Sequence, residues 1–149
     1  ELVDFKKQVQ RSPEYLTLNP NGRVPTLIED GFVMYEAAAI TMYIADQYGE
    51  AQLAPPPATL SRARYYQWMA YLTNSVQEAL NQWFHPDHFV SGTQTESAFK
   101  KNAEKRLEKM WSNLDEALSK SPYLLGDKFS ACDAYLFFLT CWQTRLKKV

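Results

Sequence analysis

Apolar residues in this chain first alternate at strand spacing and then recur at helical spacing. Residues 24–28, VPTLI, and 32–35, FVMY, are short β-branched and aromatic runs separated by Glu29-Asp30-Gly31. Asp-Gly between two such runs predicts an antiparallel hairpin with a tight turn. From Glu36 the period changes: Ile40, Tyr43, Ile44 and Tyr48 fall on one helical face. Gly49 is placed to end that helix as a left-handed cap. Upstream, Asn19-Pro20-Asn21-Gly22 is a turn cluster. Ser12-Pro13 reads as an N-cap followed by proline at the first helical position, opening a helix of about one turn. Glu1 to Phe5 alternates and reads as the end of a strand.

Residues 51–59, AQLAPPPAT, cannot be helix interior and form a stiff linker, with a domain boundary placed there. Beyond it, residues 60–83 predict a regular helix with Tyr65, Trp68, Met69, Leu72, Val76, Ala79, Leu80 and Trp83 on one stripe. Residues 96–119 predict another. Its apolar line is Phe99, Ala103, Leu107, Met110, Leu114 and Leu118, and its solvated face carries Lys100, Lys101, Glu104, Lys105, Glu108 and Lys109, with Lys105–Glu108 as the favourable pair. After a turn at Ser121 to Gly126, Ser130 and Asp133 read as a capping box. The Ser130 hydroxyl takes the Asp133 N–H, the Asp133 carboxylate reaches back to the Ser130 N–H, and a buried helix follows over residues 134–148.

Composition narrows the function classes. The chain has 149 residues, 46% hydrophobic and 14% aromatic, enough for a packed core. A net charge of -1 argues against nucleic acid or an anionic membrane as partner. Cys132 and Cys141 are nine positions apart on one helix, hence on opposite faces and unable to pair. Without a disulfide framework, a cytoplasmic location is expected. His85, Asp87 and His88 lie around Pro86 and read as a solvated helix-to-helix turn, so no metal is expected.

Two positions carry chemistry. Pro25 has no N–H for a β ladder, so Val24 before it is left to pair outside the sheet. Glu36-Ala37 stands where a strand hands over to a helix, where free N–H groups and the dipole favour an anionic group. Asn-Pro-x-Gly-x-Val-Pro followed by Glu-x-x-Ala-Ile-x-x-Tyr-Ile-Ala closely resembles the second half of the glutathione-binding domain of glutathione S-transferases. That resemblance covers some thirty residues. It implies that the Val24 backbone pairs with the cysteinyl unit of glutathione beside a cis Pro25. Glu36 and Ala37 would take the γ-glutamyl end, and Arg23 the glycine carboxylate. Ala37 stands where the family usually has Ser, which leaves only its N–H. The Ser-x-x-Asp element before the last helix is also shared with the family.

The resemblance implies an α/β plus all-α fold: a partial thioredoxin-like domain at 1–50, the linker at 51–59 and a helical domain at 60–149. It further implies glutathione transfer to small electrophiles, with glutathione as co-substrate, in a homodimer of bacterial type. Tyr65, Trp68 and Tyr71 are the candidates for the electrophile pocket. Gln77 is the nearest match to a His that some bacterial members place near the sulfur, so that role is expected to be absent. The family's catalytic Tyr, Ser or Cys sits on a strand and helix expected to precede this chain, and its last helices to follow it. The catalytic residue is therefore unknown, and the fragment is expected to be inactive. The alternatives are a non-catalytic binding or assembly module and a glutathione-dependent isomerase or dehalogenase.

Overall fold

The structure is a computed structural model and describes residues 1–143. The chain forms two compact units, Glu1–Gly49 and the remainder from Glu50 onward.

In the first unit, residues 1–4 are irregular and 5–8 form turns rather than the expected strand. The Asp4 carboxylate accepts from the Lys6 and Lys7 N–H groups, a local alternative to a ladder. A 3₁₀ turn, Val9–Arg11, leads to α1, Pro13–Leu18, six residues long. Ser12 caps it as expected, its Oγ accepting from the Tyr15 N–H at 3.2 Å. Strands β1, Thr26–Glu29, and β2, Phe32–Tyr35, pair antiparallel with Glu29 opposite Phe32 and Thr26 opposite Tyr35. The two-residue turn places Asp30 at φ 49 and Gly31 at φ 83, the paired positive values that Asp-Gly hairpins adopt.

Helix α2, Ala37–Gln47, follows directly. Its buried residues are Ile40 and Ala45, whereas Ile44 and Tyr48 are exposed, so the buried side is rotated from the one the large side chains marked. The Tyr43 hydroxyl ties α2 to β1 through the Glu29 carboxylate, and that bond raises the phenol above its ordinary pKa. Gly49 is not a left-handed cap. Tyr48 ends the helix, its N–H bonding to the Ile44 carbonyl, and the chain continues as a 3₁₀ turn, Gly49–Ala51.

The second unit begins with the proline-rich segment, which is held onto the helices. The Leu53 carbonyl accepts from the Ala131 N–H at 2.8 Å, and the Pro55 carbonyl from Arg62 Nη1 at 2.9 Å. Thr59 caps α3, Leu60–Tyr71, through the Arg62 N–H. The single helix expected over 60–83 is interrupted. Residues Leu72–Gln77 form a π-helical stretch before α4, Glu78–Phe84. At its start the Thr73 hydroxyl donates to the Met69 carbonyl at 2.9 Å. The stripe survives this insertion: Tyr65, Met69, Leu72, Val76, Ala79 and Leu80 are all buried.

Helix α5, Thr93–Leu118, packs against α4 and has Ala103, Leu107 and Leu114 buried. Part of its expected solvated face is engaged instead. Glu104 accepts from Trp83 Nε1 at 2.8 Å, Lys100 Nζ lies 4.7 Å from the centre of the Trp83 ring, and Arg106 donates to Gln82. A cation over an indole face is attracted by the ring quadrupole, so these long side chains join two helices. The ion pair on α5 and its end is Glu116–Lys120 at 2.7 Å, with no Lys105–Glu108 pair among the described residues.

Helix α6, Ala131–Gln143, starts three residues earlier than expected, and residues 144–148 of that expectation lie outside the described residues. Its capping arrangement also differs. Asp133 Oδ2 accepts from both the N–H and the hydroxyl of Ser130, at 2.8 and 2.7 Å, and Oδ1 accepts from the Leu124 N–H at 2.8 Å. The Ser130 hydroxyl therefore donates to the carboxylate instead of capping the Asp133 N–H, which bonds to the Ser130 carbonyl. One carboxylate thus joins the preceding loop to the helix start. Asp133→Ala removes all three bonds, each of them part-buried. It should destabilise the protein by about 2–4 kcal/mol in urea titration, since bonds to a charged acceptor contribute most.

Candidate functional site

The hairpin register sets which residues meet. Pairing begins at Thr26–Tyr35, so Val24-Pro25 and Glu36-Ala37 emerge side by side at the open end of β1–β2. The Val24–Pro25 peptide is cis. Val24 is 42% exposed and takes no part in the strand pairing, and Pro25 is exposed. Arg23 is exposed too, its guanidinium making no hydrogen bond among the described residues.

Glu36 occupies the junction. Its φ of 78 and ψ of 106 lie in a region that a non-glycine residue enters at a cost of about 1–3 kcal/mol. Its side chain makes no capping bond to α2 and is exposed, although a carboxylate at that position ordinarily would cap. The first main-chain bond of the helix runs from the Ile40 N–H to the Glu36 carbonyl. The N–H groups of Ala37, Ala38 and Ala39 thus precede the helical ladder, at the positive end of an eleven-residue helix. A free carboxylate and a row of amide donors side by side suit a ligand end carrying both an ammonium and a carboxylate, as an α-amino acid does.

A second feature was not legible as site chemistry. Asn19, only 2% exposed, donates from Nδ2 to the Arg23 carbonyl at 2.8 Å, and its Oδ1 accepts from the Asn21 N–H at 3.1 Å. The Tyr15 hydroxyl donates to the same Arg23 carbonyl at 2.7 Å and lies 2.9 Å from Thr26 Oγ1. The Gly22 N–H bonds to the Asn19 carbonyl with φ 58 at Gly22, where a Cβ would stand 2.8 Å from the Gln10 carbonyl. The sequence marked Asn19 and Gly22 as turn formers, but gave no sign that Tyr15 closes the same turn from α1.

The remaining candidates lie in the helical unit. Tyr65 is fully buried beneath the Arg62 guanidinium, 5.4 Å from its ring centre, so it belongs to the core and not to a pocket wall. Trp68 and Tyr71 are half-buried and meet edge to face at 5.8 Å. Gln77 Oε1 accepts from the Tyr135 hydroxyl at 2.6 Å. His85, Asp87 and His88 are exposed, their ligand atoms within 4.8 Å of one another and the two imidazoles stacked. Neither imidazole is oriented by a hydrogen bond to a carbonyl or carboxylate among the described residues; the nearest approach is His88 Nε2 to Asp87 at 3.9 Å. Metal-ligating histidines are normally fixed by such bonds, and nothing here fixes them.

Cys132 Sγ donates to the Tyr65 carbonyl at 3.5 Å, and burial pushes the thiol up to about 12. Burial therefore disfavours the thiolate, the form that acts as a nucleophile. Cys141, on the opposite face of α6, is exposed. Maleimide treatment of the native protein at pH 7 followed by peptide mapping should therefore modify Cys141 and leave Cys132 intact until denaturant is added.

Comparison with known proteins agrees along both units. Residues 1–46 match the family described as Glutathione S-transferase, N-terminal domain, and residues 60–149 match Glutathione S-transferase, C-terminal domain. The chain is 31% identical over 144 residues to Glutathione S-transferase GstA of Escherichia coli O157:H7, covering 96% of this chain and 68% of that protein. A glutathione transferase homolog from Sulfitobacter, solved with bound glutathione, superposes with a TM-score of 0.84 at 28% identity, over 96% of this chain and 69% of that one. A sphingomonad glutathione S-transferase complexed with glutathione gives 0.77 at 30% identity, over 89% and 63%.

Proposed function

The chain belongs to the glutathione S-transferase family, and from that premise we propose that the protein conjugates glutathione to small electrophiles, with its binding site at the open end of the β1–β2 hairpin. The observation that carries this reading is Glu36: a strained residue whose carboxylate is exposed and released from capping, next to the free N–H groups that open α2. Strained residues of this kind cluster at ligand-binding sites, held by the structure around them.

Each part of glutathione has a chemical counterpart at this end of the hairpin. The Glu36 carboxylate takes the γ-glutamyl ammonium, and the α2 N-terminus, led by the Ala37 N–H, takes the adjoining carboxylate. The exposed Val24 main chain pairs with the cysteinyl amide, and Arg23 meets the glycine carboxylate, for which a guanidinium fork is geometrically suited. Such binding brings the thiol to a fixed place. The thiol then gives up its proton, its lone pair forms the new C–S bond, and the leaving group departs with the electrons of the bond it breaks. An ordinary thiol titrates near 8.5, so a further group must lower that value, and we assign this role to none of Cys132, His85 and His88. Trp68 and Tyr71 are the aromatic surfaces proposed for the electrophile. We place the protein in the cytoplasm as a homodimer, and a monomer mass by light scattering at micromolar concentration would contradict the second point.

Glu36→Ala should weaken glutathione binding by about 1.5–3 kcal/mol in calorimetry, the worth of a charge-assisted hydrogen bond. Unchanged affinity would remove Glu36 from the site. Ala37→Ser restores a hydroxyl beside the same carboxylate and should tighten binding, and a clear loss would mean that the space is already filled.

A further inference from the structure

We propose that Tyr15 and Asn19 are positioning residues for glutathione: together they hold the Arg23 carbonyl and so aim the Val24 N–H at the ligand. The inference rests on the binding site proposed above and adds residues to it that the motif does not mark as ligand-binding.

The argument begins with the peptide unit joining Arg23 to Val24, which is trans. In a trans peptide the C=O and N–H point in opposite directions within one plane. Whatever fixes the Arg23 oxygen therefore fixes the Val24 N–H on the other side. The oxygen receives two side-chain donors, Tyr15 Oη at 2.7 Å and Asn19 Nδ2 at 2.8 Å. A carbonyl has two lone pairs, and here both are taken.

Both donors are themselves held. Asn19 is buried, its Oδ1 is occupied by the Asn21 N–H, and its own N–H bonds to the Tyr15 carbonyl at the end of α1. Tyr15 sits on α1 behind the Ser12 cap, and with its proton on the Arg23 oxygen it accepts from Thr26 Oγ1 at the first residue of β1. The peptide plane is thus referenced to α1, to the turn and to the strand at once. Left unheld, an exposed loop of this length samples many orientations, and the ligand would have to order it on binding. Neither side chain needs to touch glutathione. Their effect is to lower the ordering that binding requires.

Two variants separate this role from general stability. Tyr15→Phe deletes one donor and keeps the ring. Asn19→Asp keeps an acceptor for the Asn21 N–H and removes the donor to Arg23. Thr17→Ala is the control, because its hydroxyl bonds to the Glu14 carbonyl on the same helix and leads nowhere near Arg23. With the complete native protein, Tyr15→Phe should raise the glutathione KM about fivefold and Asn19→Asp about tenfold, the range that single hydrogen-bond losses span. Both should leave kcat within about twofold and the electrophile KM unchanged, because only ordering at the cysteinyl unit is lost. Thr17→Ala should leave the glutathione KM unchanged. If the wild type binds glutathione and Tyr15→Phe, folded, keeps its KM, the positioning role is wrong while the binding site stands. A wild type that binds no glutathione overturns both. Should Asn19→Asp fail to fold, Tyr15→Phe decides alone.

Discussion

The proposed glutathione site depends on one carbonyl oxygen. Arg23 sits in an exposed loop, where main-chain groups ordinarily bond to water and move with it. Here its oxygen is bound by the Tyr15 hydroxyl and the Asn19 amide, and the direction of the next N–H follows from the planarity of the peptide. Each bond contributes about 0.5–1.5 kcal/mol net. Together they match the cost of holding one residue's backbone in a single conformation, about 1–2 kcal/mol. The balance is close enough that losing either donor releases the loop without unfolding the unit.

A second constraint meets the first across the hairpin. Glu36 is held at positive φ at a cost comparable to the two bonds at Arg23, and the hairpin register sets it beside Pro25. The carboxylate of the strained residue makes no bond to the helix it would otherwise cap. The helix keeps its first amides open in consequence. The proposed binding geometry in this unit thus leaves local options unsatisfied.

Much of this was legible in the residues. The hairpin, its turn, the Ser12 cap and the Val24-Pro25 and Glu36-Ala37 pairs follow from short-range rules, and those rules act over a few residues. What was missed depends on distant partners. Tyr15 is an unremarkable aromatic until α1 folds back to put its hydroxyl on Arg23, eight residues on. Lys100 and Glu104 belong to a charged helix face until Trp83, on another helix, stands beneath them. Tyr65 looked available for a pocket because an aromatic stripe does not say which ring lies deepest, and Arg62 covers it. The π-helical stretch keeps Leu72 and Val76 buried with the rest of the stripe, so hydrophobic periodicity does not register it. Gly49 was misread because the helix ends at Tyr48, whose N–H bonds to the Ile44 carbonyl, and the chain runs on into a 3₁₀ turn without a left-handed residue.

The claim that glutathione is read by this end of the hairpin is tested most directly by following backbone amide resonances of the protein during a glutathione titration. The account predicts saturable shifts concentrated at Val24 and at Ala37, Ala38 and Ala39, with the amides around Cys132 and His85 to His88 unmoved. Saturable shifts at the latter positions, with Val24 and Ala37 unchanged, would contradict it.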